Sequence, residues 1–244
     1  MTIRTGMGGW TYDPWKNTFY PAGLAAAKEL GFASRAVTTI EVNGTFYSTM
    51  SVATYLKWHG ETPDGFMFAL KGPRYAVNRR ELAGAGESVE RFIASGIDRL
   101  EGKLGPILWQ LAATKKFDRE DIARFLDLLP ARVGERPLRH VLEPRHETFA
   151  DPQLFELAAA TNVAVVYADA HVYPCFAAQT ADFTYARLQN GEDFEPLGYP
   201  DPVLDGWAAQ AHAWATGARD VFIYFIAGGK IRAPAAAMAL QSRL

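Results

Sequence analysis

"HVLEPRHETF", residues 140–149, opens on apolar residues and then sets Glu143, Arg145 and His146 within four positions of one another. A short apolar run of this length reads as a buried strand. It ends in an acid, a base and an imidazole instead of ordinary turn residues. In parallel β/α barrels the carboxyl ends of the strands converge on one rim, where ligands bind, while the other rim serves stability. The stretch therefore reads as one stave of a parallel barrel that delivers its polar end to a binding site.

Working outward, β-rich runs recur at residues 3–8, 38–42, 66–70, 106–111, 140–143, 163–168, 183–188 and 221–226, which makes eight strands. Helical spacing lies between or after them at residues 24–32, 51–60, 88–100, 119–128, 152–161, 202–216 and 234–244, several of these segments opening on Ser, Asp or Pro. The exception is "DAHVYPCFAAQTAD", residues 169–182, so the crossover between strands six and seven is expected to be a loop. The expectation is an α/β fold, a TIM-type (β/α)8 barrel with a closed parallel sheet. An open doubly wound sheet is the alternative, but "GMGGWT" (6–11) places Gly6, Gly8 and Gly9 at the wrong spacing for its phosphate-binding turn.

The chain's 244 residues match the roughly 250 at which such a barrel closes as one domain, so residues 1–244 are read as a single domain. Hydrophobic residues make up 49% and charged residues 21%, the balance of a chain that buries a core. A net charge of −2 excludes a polycation that holds nucleic acid by charge alone. The single cysteine, Cys175, excludes an internal disulfide and fits a reducing compartment. No apolar stretch is long enough for a membrane span, so a cytoplasmic protein without membrane contact is expected.

The strand ends carry the chemistry. Strand two ends in Glu41 and Asn43, strand three in Lys71 and Arg74, strand four in Gln110, and strand five in Glu143, Arg145 and His146. Strand six adds Asp169 and His171, and strand seven adds Arg187 and Gln189. Residues two apart share a face, so Glu41 with Asn43, Glu143 with Arg145, and Arg187 with Gln189 can point inward as pairs. One reading is a ligand pocket; the other is a buried ion-pair network of Glu41, Lys71, Glu143 and Arg187 that caps the barrel. After strand eight, Gly228, Gly229, Lys230, Arg232 and Pro234 suggest an anion cup at a helix start, against a plain loop with two solvated bases. Trp10, Tyr12, Trp15, Phe19, Tyr20, Phe46 and Tyr47 either stack on a ligand or pack loops onto the rim. No cofactor is expected; a divalent metal near Glu143, His146 and Asp169 is the weaker alternative, because no tight ligand spacing occurs. His59, His140 and His212 show no partner pattern.

"GGWTYDPWKNTFYP" (8–21), "TIEVNGTFY" (39–47), "FALKGPRY" (68–75), "LGPILWQL" (104–111), "EPRHETF" (143–149) and "APAAAMAL" (233–240), in this order, resemble the YecE-like family, the domain of unknown function seventy-two. The resemblance implies a TIM-type barrel similar in shape to xylose isomerase and to endonucleases acting at abasic DNA sites. It implies recurring polar positions at Trp10, Tyr12, Glu41, Asn43, Tyr47, Lys71, Pro73, Arg74, Gln110, Glu143, Arg145, His146, Asp169 and Arg187. It brings no established reaction. The chain departs from the family pattern at "YFIAGGKIRAP" (224–234), where Ile226, Ala227 and Arg232 replace an acid, an amide and a histidine. Pro144 and Gln189-Asn190 are further departures.

The leading functional expectation is an enzyme, a hydrolase or isomerase, acting on a small anionic substrate such as a phosphorylated sugar or nucleotide fragment. Glu143 or Glu41 would be the general acid or base; Lys71, Arg145 and Arg187 would hold the anion; Trp10 and Tyr12 would form one wall. On this reading Glu143→Gln abolishes turnover and leaves the fold intact. The rivals are a nucleic-acid-binding or abasic-site-endonuclease-like protein, a metal-dependent hydrolase, and a noncatalytic barrel that binds a ligand or partner. The sequence leaves the oligomeric state open.

Overall fold

The structure, a computed structural model, describes residues 1–244 apart from the side chains at positions 227 and 228. Eleven strands form in chain order: β1 (Ile3–Gly8), β2 (Thr39–Val42), β3 (Met67–Lys71), β4 (Leu104–Gln110), β5 (Arg132–Val133), β6 (Arg136–Pro137), β7 (His140–Glu143), β8 (Ala164–Val165), β9 (Tyr167–Asp169), β10 (Phe183–Asn190) and β11 (Asp220–Gly228). Nine of them make one parallel sheet in the order β8-β7-β4-β3-β2-β1-β11-β10-β9. Its two terminal members are halves of the expected sixth stave, separated only by Val166. β8 bonds β7 and β9 bonds β10, so this one extended segment joins both edges and the wall goes round through eight staves.

The break has a local cause. Thr180, from the loop after β9, donates its hydroxyl to the Val163 carbonyl at 2.8 Å and accepts the Val165 N–H at 3.0 Å. A side chain thus replaces a neighbouring strand along β8. Residues 170–182 contain no helix, as the sequence indicates.

Nine α-helices accompany the strands: α1 (Glu29–Ala36), α2 (Gly44–Tyr47), α3 (Val52–Glu61), α4 (Arg74–Val77), α5 (Gly86–Ile93), α6 (Arg119–Asp127), α7 (Pro152–Ala160), α8 (Asp201–Trp214) and α9 (Ala233–Gln241). Two differ from the sequence reading. α1 begins five residues later than Leu24, after a 3-10 turn at Ala26–Lys28. The segment expected at residues 88–100 ends as α5 at Ile93, because Gly96 turns left-handed (φ 103°) and the chain continues as a 3-10 stretch, Ile97–Lys103. The single-turn helices α2 and α4 and the β5-β6 hairpin carried no sequence signal. No helix among the described residues is long and apolar enough to cross a membrane.

Caps set the helix starts where the sequence supplies them. Asp118 accepts the N–H groups of Glu120 and Asp121, both at 3.0 Å, at the start of α6. Asp118→Ala is expected to lower the unfolding free energy by about 1 kcal/mol, read from the urea midpoint. α9 closes the outer layer on the first stave, where the Thr5 hydroxyl donates to the Ala237 carbonyl at 3.1 Å.

Alternation along the staves sorts the interior into layers. Outward residues such as Ile40, Phe68, Leu70, Trp109 and Leu142 pack in the core between sheet and helices. Inward residues fill the barrel. At the amino end, Arg139 lies over the rings of Phe183 and Phe222 and bonds Asp220 at 2.9 Å. Ala69, Leu108, Val141, Tyr185 and Tyr224 form the middle. The next inward positions, at the carboxyl end, are Glu41, Lys71, Gln110, Glu143 and Arg187, and they are all buried.

Candidate active site

Arg187 organises the upper layer. Its Nε and Nη2 donate to the two oxygens of Glu41 at 3.0 and 3.1 Å, and its Nη1 donates to both oxygens of Glu143 at 2.7 and 2.9 Å. The planar fork is thereby spread across the barrel from β10 to β2 and β7. Glu41 also accepts the Tyr185 hydroxyl at 2.7 Å, and Glu143 accepts Gln110 Nε2 at 2.6 Å and Arg145 Nη2 at 3.1 Å. Every carboxylate oxygen is engaged. Burial alone would push the Glu143 carboxyl up, but Arg187 and then Arg145 hold it below the usual carboxylate range. Arg187 is itself raised: its burial opposes the charge, and Glu143 and Glu41 more than offset that burial.

Lys71 stands apart from this saturation. The residue is only 7% exposed, yet its ammonium has no hydrogen-bond or ion-pair partner among the described residues. It lies over the Phe46 ring, 4.5 Å from the centroid. Burial brings its pKa down to about 8; the attraction of Glu41 and Glu143 is opposed by the repulsion of Arg187 and Arg145.

These groups face a cleft of about 450 Å³ at the carboxyl rim. Lys71, Gln110 and Arg187 reach it from the barrel, and Asn43, Arg145, Tyr173, Gln189, Ile226 and Lys230 line it further. Arg145 stacks on Tyr173, 4.3 Å from the ring centroid, and Lys230 lies over Tyr12 at 4.3 Å. The Gln189 Nε2 is buried and unpartnered among the described residues. A second cleft of about 350 Å³, lined by Trp10, Met50 and Trp58, shares Gly8, Asn43 and Lys230 with the first.

Other residues singled out in the sequence lie elsewhere. Tyr47 is 66% exposed and Arg74 is exposed at the start of α4. His146 Nδ1 accepts the Thr148 N–H at 3.2 Å, and Asp169 accepts Asn190 Nδ2 at 2.9 Å. Among the described residues no three His, Cys, Asp or Glu side chains form a metal-holding group. Glu143, wrapped in cations and with both oxygens engaged, does not fit a divalent ion alongside His146 and Asp169. The expected anion cup is half filled by the chain itself: the Ile231 N–H donates to the Asp193 carboxylate at 3.1 Å, and Arg232 Nε donates to the Asp193 carbonyl at 3.0 Å. Lys230 lines the cleft, whereas Arg232 does not. Ala227 and Gly228 lie outside the described residues.

Two residues escaped the sequence reading, and the partners of a third did. Tyr185 was visible in principle, two positions before Arg187 on the same face of the stave. Tyr173 comes from the helix-free loop, where no periodicity marks it. His140 does have partners: Trp109 Nε1 donates to its Nδ1 at 3.1 Å and its Nε2 lies 2.8 Å from the Pro130 carbonyl, with burial lowering its pKa.

The geometry can be set beside known proteins. A family described as "Protein of unknown function DUF72" matches residues 4–244. No curated protein matches the chain. A DUF72 family protein from Thermotoga maritima is 20% identical, with a TM-score of 0.77 over 99% of this chain and 97% of that one. A DUF72 family protein from Enterococcus faecalis is 15% identical, with a TM-score of 0.75 over 99% of this chain and 96% of that one. D-psicose 3-epimerase from Clostridium cellulolyticum, solved with D-tagatose, is 12% identical with a TM-score of 0.52, covering 100% and 96% of the two chains, a likeness of fold alone. The match along almost the whole chain, on the barrel that its strand pattern calls for, places the protein in the DUF72 family, also called YecE-like.

Proposed function

We propose that the protein is an enzyme acting on a small anionic substrate, such as a phosphorylated sugar or a nucleotide-like phosphate ester, held in the cleft at the carboxyl rim. One observation carries this reading. Lys71, Arg145, Arg187 and Lys230 line the cleft, against the two carboxylates Glu41 and Glu143 beneath it, so positive charge is in excess, and more so when Lys71 is protonated. In a partly desolvated cleft that excess attracts an anion more strongly than the same charges in water.

The roles differ from those first suggested by residue type. Glu41 and Glu143 hold the arginines, and Glu143, held below the usual carboxylate range, is a poor general acid at neutral pH. Lys230, resting on the Tyr12 ring, has no carboxylate partner among the described residues and is the cation free to meet the anion; Arg145, tied to Glu143 and resting on Tyr173, lines the cleft with it. Lys71 is the group whose protonation changes near working pH. The saturated Glu41-Arg187-Glu143 network favours the rival reading, a noncatalytic binding barrel.

Thermal unfolding in the presence of phosphate esters tests binding. A ligand at one hundred times its dissociation constant stabilises the folded state by about 2.7 kcal/mol and raises the midpoint accordingly. Lys230→Ala should remove most of that rise and leave the ligand-free midpoint nearly unchanged, since the side chain is exposed. Equal midpoints with and without every ester would sink the anion reading. A shift given only by short oligonucleotides, and collapsing with added salt, would favour nucleic acid.

A further inference from the structure

We propose that Lys71 is a nucleophile that forms an imine with the carbonyl carbon of an aldehyde or ketone whose anionic group is held by Arg145 and Lys230. The inference deepens the anionic-substrate reading and rests on it for the anion only.

The geometry of the two buried lysines carries the argument. Lys103 is 6% exposed, and its Nζ donates to the carbonyls of His59 and Thr62, both at 2.6 Å, the expected way to bury an ammonium. Lys71 is equally buried and has no such acceptor among the described residues. Thr45 serves only the backbone of Lys71: its hydroxyl oxygen accepts the Lys71 N–H at 3.1 Å and its O–H donates to the Lys71 carbonyl at 2.8 Å. What surrounds the Lys71 ammonium is the Phe46 ring, the guanidinium groups of Arg187 and Arg145, and two carboxylates already bonded to those arginines. A lysine so placed is not needed as a structural cation. It is a desolvated amine opening on a cleft, the arrangement that activates lysine toward carbonyl carbon.

The step balances without an external reagent. The ammonium first loses a proton to solvent, and the neutral Nζ attacks the carbonyl carbon. The C=O pair moves to oxygen, which becomes a hydroxyl by taking a proton, while nitrogen gives one up. The nitrogen lone pair then forms the C=N bond, and the hydroxyl leaves as water with a further proton. At pH 8 about half of Lys71 is neutral, against about three per thousand of a lysine at the ordinary 10.5.

Reductive trapping on the full chain tests the proposal. The protein is incubated at pH 8 with D-glyceraldehyde 3-phosphate and sodium cyanoborohydride, and adducts are mapped by peptide mass spectrometry. Lys71 should carry at least about tenfold more adduct than exposed Lys16, Lys57 or Lys116, given the difference in neutral amine. Inorganic phosphate should suppress the adduct, and Lys71→Met should abolish it. Labelling of exposed lysines with Lys71 untouched overturns the proposal, and this map from the parent protein decides even if the variant fails to fold. Uncharged D-glyceraldehyde separates the two readings. If it labels Lys71 as well as the phosphorylated probe does, and phosphate has no effect, the imine stands and the anion reading falls. If phosphate raises the unfolding midpoint but neither probe labels Lys71, the imine falls and the anion reading stands.

Discussion

Glu143→Gln is expected to lower the unfolding free energy by about 3–5 kcal/mol, because removing one member of a buried charge network leaves the others uncompensated. The amide keeps the shape and can still accept from Gln110. It no longer neutralises Arg187, which is 2% exposed, or Arg145 beside it. The residue types alone suggested the opposite outcome, lost turnover in an intact fold. Urea denaturation at pH 7 decides between them, and a loss under about 1 kcal/mol would show that the network contributes little. Acid titration gives a second check. The folded carboxyl lies below its unfolded value, so its contribution is complete above the ordinary carboxylate pKa of about 4.3 and disappears as pH falls through the depressed folded value. The variant lacks that part of the acid loss.

Lys71→Met should act in the other direction. The folded pKa of about 8 lies below the unfolded value of about 10.5, so the unfolded chain binds more protons in that interval and stability rises with pH across it. Below pH 8 the parent carries the full cost of a buried ammonium, on the order of 3 kcal/mol for a shift of this size. Methionine fills a similar volume without charge, so the variant should be more stable than the parent at pH 7 by a large part of that amount. The difference should shrink between pH 8 and 10. Above about pH 10 the buried tyrosines Tyr185 and Tyr224, both raised by burial, work the opposite way in both proteins, so the comparison is best made as a difference. Equal stability at pH 7 would mean that the ammonium is better solvated than its surroundings indicate. On the proposed function, a destabilising lysine facing the cleft fits the general exchange of stability for activity at functional sites.

Much of this arrangement is legible in the chain. β1, β2, β7 and β10 start within a residue of the expected runs, because apolar, β-branched stretches bounded by turn residues leave little choice. The helix-free crossover is legible for the same reason, as an absence of period. The break at Val166 is not legible, since it depends on Thr180 folding back from fourteen residues further along the chain. Strand-end logic puts Glu41, Lys71, Gln110, Glu143, Arg145 and Arg187 on one rim, and in the structure their side chains lie together there. It does not foresee that Arg74 begins α4 and is exposed; Tyr47, singled out as an aromatic, is likewise turned outward on α2. It also cannot tell which cations are matched: that Arg187 serves both carboxylates while Lys71 serves neither follows from distances across the barrel, not along the chain.

The charged layer also acts on assembly. Glu41, Glu143 and Arg187 belong to three staves far apart in sequence, and each pairs only when its own strand has the right face turned to the axis. A slip of one residue in β2 would present Ile40 or Val42 to Arg187 and send Glu41 into the apolar packing under the helices. An all-aliphatic layer would accept such an error at modest cost, because one aliphatic side chain substitutes tolerably for another. Here the penalty is a stranded guanidinium and a stranded carboxylate at once. The layer beneath the cleft therefore works as a combination lock for the barrel: it admits one alignment of its staves, and that alignment is the one that leaves Lys71 without a partner.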